Sequence, residues 1–180
     1  MDNTIQISTV KDGETFTLGG MEFIKFPDVD GKTPVVMKNI AFFSRFGDSN
    51  DFRASNVLKR LQDEILPKIV AVIGEENVCT FKLDLTTLDG LKPYEDLETK
   101  IGLPTLDFYR ANISVFDKFK PDRWWWLATP ESAKPHDDPN WILCVAPSGL
   151  MNYGFNYFNI ANGVRPFLFF NSSIFESSEM

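Results

Sequence analysis

Few residues of this sequence could serve as an acid, a base or a nucleophile. The chain of 180 residues has one histidine, His136, which lies in the polar loop 131–140. Hydrolases with a serine or cysteine nucleophile need a histidine base, and no G-x-S-x-G motif is present for His136 to serve. Asp137 and Asp138 follow directly, and three consecutive side chains cannot easily turn toward one metal ion. We therefore predict no catalytic residue, no metal site and no cofactor.

The two cysteines do not form a reactive pair, and the common nucleotide-binding motifs are absent from the sequence. Cys79 and Cys144 are far apart in apolar settings, and neither belongs to a C-x-x-C pair, so we predict two buried free thiols. Neither G-x-x-x-x-G-K-[ST] nor G-x-G-x-x-G occurs to cradle a phosphate. Spacing in sequence does not give spacing in space, and with 25 acids some carboxylate pair always looks suited to glycoside hydrolysis, so we discount that possibility.

Acidic residues are concentrated in one segment of the chain. The sequence has 25 Asp and Glu against 18 Lys and Arg, a formal net charge of −7. Residues 75–100 contain seven acids and three lysines, so this segment contributes 3 − 7 = −4. Its acids are Glu75, Glu76, Asp84, Asp89, Glu95, Asp96 and Glu98. A solvated face is the ordinary interpretation, and an acidic docking face for a basic protein is the sharper one. Either face disfavours direct binding of nucleic acid or of an anionic membrane.

A second candidate surface combines loop 131–141 with one face of a predicted strand. Exposed Trp, Asn and Asp side chains suit contacts with sugars or proteins. Because side chains alternate along a strand, Asn152 and Asn156 fall on the same face. The candidate partner-binding residues of both surfaces are Glu75, Glu76, Glu95, Asp96, Glu98, Asp137, Asp138, Trp141, Asn152 and Asn156.

The elements that must position these residues include, in the first half of the chain, several strands and one long helix. Residues 16–18 and 21–26 flank Gly19-Gly20, which predicts a hairpin, and a further strand is predicted at 35–43. Up to residue 73, apolar residues recur at three- and four-residue spacing, which predicts an amphipathic helix that begins at a serine cap, Ser49 or Ser55. Pro67 inside it predicts a kink or two shorter helices.

Short elements are predicted for the rest of the chain. We expect a strand at 78–85 and a helix at 105–116 capped by Thr105. The C-terminal third predicts a β-meander with strands 142–146, 150–158 and 164–170, a turn at Asn162-Gly163 and a frayed tail at 171–180. We predict one α+β domain over residues 1–180. No apolar run approaches the roughly 20 residues of a spanning helix, and we expect a cytoplasmic protein without a signal peptide.

Two motifs of the last third carry a resemblance to a known family. Residues 124–130, WWWLATP, are similar to a W-W-L-R-S-P motif, and residues 163–167, GVRPF, are similar to a G-V-R-P-A motif. These motifs belong to a family of unknown function that is common in Firmicutes and their phages. The opening hairpin and the helix region with Arg53 resemble that family too, so the resemblance covers nearly the whole chain. Ala128 and Thr129 stand where the family has arginine and serine, so any role of that arginine is lost here.

The family in turn resembles the C-type-lectin-like fold of formylglycine-generating enzymes and phage variable receptor-binding proteins. The resemblance implies an α+β domain with antiparallel sheets, one long kinked helix and a loop-rich C-terminal β-meander. It implies a structural role for Trp125, Leu127, Pro130, Gly163, Arg165 and Pro166. Trp125 and Leu127 would pack in the core, and Arg165 would bridge buried carbonyls or a carboxylate. Cys144 has no paired active cysteine, so the enzyme activity is not carried over.

These observations favour a binding function. We expect a non-catalytic protein encoded by a phage or prophage, and most specifically an inhibitor of a bacterial nucleic-acid-handling defence complex such as Cas9, an anti-CRISPR protein. Its partner would be a protein with a basic surface, met by the acidic face. The alternative is a lectin-like receptor- or ligand-binding module on a phage particle or cell surface.

Overall fold

A computed structural model describes residues 4–156 and 161–177, and within them the chain forms an α+β structure with mostly antiparallel sheets. The strands are β1 (Thr4–Gln6), β2 (Thr15–Leu18), β3 (Met21–Lys25), β4 (Lys32–Met37), β5 (Phe42–Ser44), β6 (Val78–Cys79), β7 (Phe81–Leu83), β8 (Leu97–Thr99), β9 (Trp125–Pro130), β10 (Trp141–Val145), β11 (Met151–Asn156), β12 (Asn162–Val164), β13 (Phe167–Asn171) and β14 (Phe175–Ser177). The α-helices are α1 (Asn56–Arg60), α2 (Leu66–Ile73), α3 (Leu106–Ala111) and α4 (Ile113–Phe116).

Two five-stranded sheets form the body of the structure. The first has the order β2-β3-β4-β13-β6 and is antiparallel throughout. The second has the order β11-β10-β9-β12-β5, in which β9 and β12 are parallel and the other pairs are antiparallel. Two smaller pairs, β1 with β14 and β7 with β8, lie outside these sheets.

The predicted opening hairpin is confirmed. Leu18 pairs with Met21 across a two-residue turn in which Gly19 and Gly20 have φ of 53° and 78°. Such positive φ values favour glycine. A Cβ atom on Gly19 would also lie 2.4 Å from Cγ2 of Val72, so the turn is packed against the end of the long helix.

The predicted long helix is also confirmed, and its N-cap is Ser55. The hydroxyl of Ser55 accepts a 3.0 Å hydrogen bond from the backbone N–H of Leu58, and the helix ends at Gly74, where φ is 85°. A π-helical turn, Leu61–Ile65, joins α1 to α2. Because Pro67 lacks an N–H and its ring crowds the carbonyl four residues earlier, the widened turn accommodates it without ending the helix.

The second predicted helix divides into two. The Thr105 hydroxyl caps α3 by accepting a 3.2 Å hydrogen bond from the N–H of Phe108, as predicted. Asn112 interrupts the segment with φ of −121°, and α4 follows directly. A prediction of one helix over 105–116 therefore has the right type and limits but misses the break.

Three predicted strands are each two strands in different sheets. Residues 35–43 are divided between β4 and β5, residues 78–85 between β6 and β7, and residues 164–170 between β12 and β13. The reason is that the chain passes from one sheet to another inside each apolar run. Alternation along a strand does not show which sheet the strand joins.

The predicted turn at Asn162-Gly163 is wrong. Both residues belong to β12, where Gly163 lies between Phe43 of β5 and Trp125 of β9. A Cβ atom on Gly163 would lie 2.4 Å from Cδ1 of Ile40, so the glycine provides close packing and not a turn. The β-meander accordingly covers only β9 to β11.

The predicted frayed tail is wrong for the residues that the structure describes. Phe175 pairs with Gln6 and Ser177 with Thr4, so β14 forms an antiparallel pair with β1. Within the same tail the N–H of Ile7 donates a 3.2 Å hydrogen bond to the carbonyl of Ile174. Backbone pairing therefore joins residues 174–177 to residues 4–7.

Candidate functional site

The predicted acidic residues lie on two neighbouring elements. Glu75 and Glu76 form a 3-10 turn immediately after the long helix. Glu95 and Asp96 precede β8, and Glu98 lies within it. All five side chains are exposed. The structure thus places the predicted acidic face on the β7–β8 hairpin and at the C-terminal end of the long helix.

Lysines are interleaved with these acids. Lys82 of β7 lies directly opposite Glu98 of β8, and Lys100 Nζ is 3.3 Å from Glu75 Oε1. Lys92 lies in the same shallow depression as Glu95 and Asp96. The face is therefore acidic in balance but is not an uninterrupted carboxylate patch.

A buried asparagine fixes the second predicted surface, loop 131–141. The side chain of Asn50 is fully buried, and its Nδ2 donates hydrogen bonds of 2.9 Å to the carbonyls of Ser132 and Trp141, at the two ends of the loop. The backbone N–H of Asn50 donates a third, of 3.1 Å, to Pro139. One residue therefore closes the loop by hydrogen bonding to three of its carbonyls.

The same asparagine connects the loop to the acidic segment. The hydroxyl of Tyr94 donates a 2.6 Å hydrogen bond to Oδ1 of Asn50. Arg53 lies over the Tyr94 ring at 5.4 Å from its centroid, and its pKa is raised first by the hydrogen bond to Asp51 and to a smaller extent by the charge of Glu95. The segment that carries Glu95 is thus attached to the base of loop 131–141.

A second attachment of the loop involves His136. Oδ2 of Asp89 accepts a 2.6 Å hydrogen bond from the Ser132 hydroxyl and lies 2.8 Å from Nδ1 of His136. Hydrogen bonds from Ser132, Thr87 and His136 hold the pKa of Asp89 well below its usual value. His136 is exposed, as is usual for a histidine in a polar loop, but it is paired with Asp89. In a Ser-His-Asp triad the serine hydroxyl is hydrogen-bonded to the histidine. Here Ser132 donates to Asp89 instead, and the three side chains anchor the loop to the turn at residues 87–91.

The remaining predicted partner-binding residues of this surface vary in exposure. Asp137 and Asp138 are exposed at the loop, while Trp141 and Asn152 are half-buried. Asn156 is the last residue of β11, and its side chain lies outside the described part of the structure. Burial raises the pKa of the nearby Glu131, and the charges of Asp137 and Asp89 add to that effect. The loop therefore gathers several carboxylates that repel one another.

The predicted framework residues are buried. Trp125, Leu127 and Pro130 belong to β9, whose six residues are all buried. A strand covered on both faces loses the alternation of polar and apolar residues. Gly163 and Pro166 are buried as well, and the N–H of Gly163 donates a 2.8 Å hydrogen bond to the carbonyl of Trp124, which joins the two motifs.

Arg165 bridges carbonyl groups, as predicted, and is fully buried. Its Nε donates to Met37 O at 3.2 Å, and its Nη2 donates to Lys38 O at 2.9 Å and to Phe119 O at 3.2 Å. Its guanidinium carbon lies 4.8 Å from the centroid of the Trp125 ring. Desolvation lowers the pKa of Arg165 to about 10, so the side chain is charged at neutral pH.

Both cysteines are free thiols, as predicted, but the prediction that both are buried is wrong for Cys79. Cys144 is buried and its pKa is raised to about 12 by desolvation, whereas Cys79 is half-buried. Among the residues that the structure describes, no group of three or more His, Cys, Asp or Glu side chains could hold a metal ion. No helix within residues 4–156 and 161–177 is long and apolar enough to cross a membrane.

Comparison with protein-family models, curated proteins and solved structures finds no match to this chain. The family resemblance and the C-type-lectin-like fold therefore stay predictions.

Three residues that matter to this site are not among the predicted ones. Asn50, Tyr94 and Asp89 connect the acidic segment to loop 131–141, yet each is far in sequence from its hydrogen-bond partner. Asp89 could be counted only as one acid of many. Nothing local in the sequence distinguishes Asn50 from a solvated asparagine.

Proposed function

We propose that this chain is a non-catalytic binding protein that docks on a basic protein through an acidic surface. The surface consists of residues 94–98 and loop 131–141. The observation that carries the proposal is the hydrogen bond between Tyr94 and Asn50, because it makes two predicted binding segments neighbours on one support.

The hydrogen bonds that fix loop 131–141 favour binding, because a partner does not have to order the loop. Asn50 and Asp89 fasten the loop through side chains that already have their hydrogen bonds in the free protein. A pre-organised surface loses less conformational entropy when it binds. The exposed carboxylates of Glu95, Asp96, Asp137 and Asp138 supply charge complementarity, which accelerates encounter with a basic surface.

The partner class that we propose is a nucleic-acid-handling defence complex of a bacterial host cell, such as Cas9. A basic groove that holds a phosphate backbone also attracts a protein surface rich in carboxylates. The net charge of −7 supports that choice, as does the resemblance to a phage-associated family. The proposal includes a C-type-lectin-like fold and a cytoplasmic setting, both of which rest on the sequence.

Binding to guide-loaded Cas9 tests the proposal. Immobilised chain is exposed to the complex at about 50 mM and about 500 mM salt, where screening lengths differ several-fold. We expect retention at low salt that is much weaker at high salt, together with inhibited DNA cleavage. An unrelated basic protein is the control for unspecific charge attraction. Equal retention of that control would contradict a specific docking surface.

The lectin-like alternative is tested in parallel with the same protein. Binding to glycans or intact bacterial cells, insensitive to salt and unaffected by Glu95→Gln, would replace the acidic-surface proposal. Trp141 and Asn152 would then be the residues to substitute, because both are half-buried at the edge of the loop and its neighbouring strand.

A further inference from the structure

A cleft of about 640 Å³ lies on a part of the molecule that the acidic surface does not use. One wall consists of Lys38, Asn39 and Ile40 in the connection from β4 to β5, together with Phe43 of β5. The other wall is the segment 118–123, which leads from α4 to β9. The volume is within the range of pockets that bind small molecules.

Positive charge is concentrated in this cleft. Its lining includes Lys38, Lys118, Lys120 and Arg123 against a single carboxylate, Asp122, in a chain whose net charge is −7. Lys38 forms an ion pair with Glu22 at 3.1 Å. Lys118, Lys120 and Arg123 are exposed, and none has a carboxylate within 4.0 Å among the described residues. A concave surface of one charge sign focuses the field on ions of the opposite sign.

Arg165 holds the two walls at a fixed separation. Its guanidinium donates to the carbonyls of Met37 and Lys38 on one side and of Phe119 on the other. Its Nη1 is buried without a hydrogen-bond partner among the described residues, and no described carboxylate offsets its charge. Burial of a charge without a counter-ion is unfavourable even with the Trp125 ring against it, and an anion in the adjoining cleft would reduce that cost.

Apolar side chains lie beside the charges. Phe43 is 50% exposed, which is unusual for phenylalanine, and Ile40, Phe119 and Pro121 complete the apolar part of the lining. A flat, exposed aromatic ring next to cations is suited to a ligand that joins a planar ring to an anionic group.

We propose that this cleft binds a nucleotide, with its phosphates on Lys118, Lys120 and Arg123 and its base against Phe43. The size of the cleft fits one nucleotide, and the overall negative charge of the chain disfavours a nucleic-acid strand. This site is independent of the proposed docking surface, and each can fail without the other.

Calorimetric titration with ADP, inorganic phosphate and adenosine tests the site. We expect saturable binding of ADP, weaker binding of phosphate and the weakest binding of adenosine. The variant Lys118→Gln/Lys120→Gln/Arg123→Gln should lower the ADP affinity by roughly tenfold or more, because it removes three surface charges. Phe43→Ala should weaken the binding of ADP and leave the binding of phosphate unchanged.

A matched variant controls for the change in total charge. Lys11→Gln/Lys68→Gln/Arg110→Gln removes two exposed lysines and one arginine outside the cleft, and it should keep the ADP affinity. Circular dichroism on all variants checks that they fold, since every substituted cation is exposed. Equal loss in both triple variants, or no ADP binding by the folded wild type, would overturn the proposal. A short oligonucleotide that bound more tightly than ADP would overturn the choice of a free nucleotide.

Discussion

The hydroxyl of Tyr94 donates a 2.6 Å hydrogen bond to Oδ1 of Asn50, whose side chain is fully buried. The amide of the same side chain donates to the carbonyls of Ser132 and Trp141. The amide oxygen and both amide hydrogens of Asn50 are thereby engaged. Together with the contacts of Asp89 to Ser132 and His136, this hydrogen bond joins the acidic segment to loop 131–141.

Replacement of Asn50 should be among the most destabilising polar substitutions of the chain. Asn50→Ala leaves two carbonyls and one hydroxyl without their partner, and we expect the free energy of unfolding to fall by roughly 3 kcal/mol. Tyr94→Phe removes one hydrogen bond and should lower it by about 1 kcal/mol. Urea unfolding measures both values. Asn39→Ala, at an exposed position, is the control and should have a small effect. An effect of Asn50→Ala as small as that of the control would contradict the role of Asn50.

The hydrogen bonds to Asp89 predict an acid-sensitive anchor. They lower the pKa of its carboxyl group in the folded state, so its contribution to stability is fully present above the ordinary aspartate pKa of about 4. The contribution is lost as the pH falls through the lower folded-state pKa. Stability of Asp89→Asn should therefore depend less steeply on pH below about 4 than that of the wild type.

The variant Ser132→Ala refines this test. The hydroxyl of Ser132 is the main cause of the lowered pKa of Asp89, so its removal should give a pH dependence between wild type and Asp89→Asn. Unfolding free energies at a series of pH values supply the measurement. Three parallel curves would show that Asp89 does not contribute in the way described.

Gly163 should tolerate no larger residue while Ile40 is present. A Cβ atom at this position would lie 2.4 Å from Cδ1 of Ile40, and relief of the clash should cost about 1–3 kcal/mol in Gly163→Ala. In the double variant Gly163→Ala/Ile40→Ala, the loss of stability should be smaller than the sum of the losses in the two single variants, because the clash is removed. Strict additivity in thermal or urea unfolding would contradict the packing.

The two thiols should differ in reactivity. Because burial raises the pKa of Cys144 to about 12, only about one molecule in 10⁴ carries its thiolate at pH 8, and the buried sulfur is also poorly accessible. A disulfide reagent should label one thiol in the folded protein and two in denaturant. Cys79→Ser should abolish the folded-state labelling. Rapid labelling of folded Cys79→Ser would contradict the burial of Cys144.

Local chemistry explains which parts of the fold could be predicted. Gly19-Gly20 specifies a tight hairpin turn, and Ser55 and Thr105 provide helix caps, so these elements follow from neighbouring residues alone. The division of residues 35–43 and 164–170 between sheets depends on distant partners. Asn162-Gly163 has the composition of a turn, but the need for close packing against Ile40 prevails.

The candidate site was predictable only in part for the same reason. The framework role of Arg165 followed from its motif, whereas its three carbonyl acceptors come from two segments more than 40 residues away. Tyr94 and Asn50 are 44 residues apart in the sequence. The charged segment of the cleft, Lys118 to Arg123, does stand out as basic in an acidic chain, but its opposite wall could not be inferred.

The most direct test of the proposed docking surface compares two variants with the same change in charge. Glu95→Gln/Asp96→Asn neutralises two acids on the surface, and Glu14→Gln/Asp30→Asn neutralises two exposed acids elsewhere, before β2 and between β3 and β4. The affinity of each for guide-loaded Cas9 is measured at low salt. The surface variant should lose roughly tenfold or more in affinity, and the control should stay within about twofold of the wild type. Equal losses in the two variants, or no binding by the wild type, would contradict the proposal.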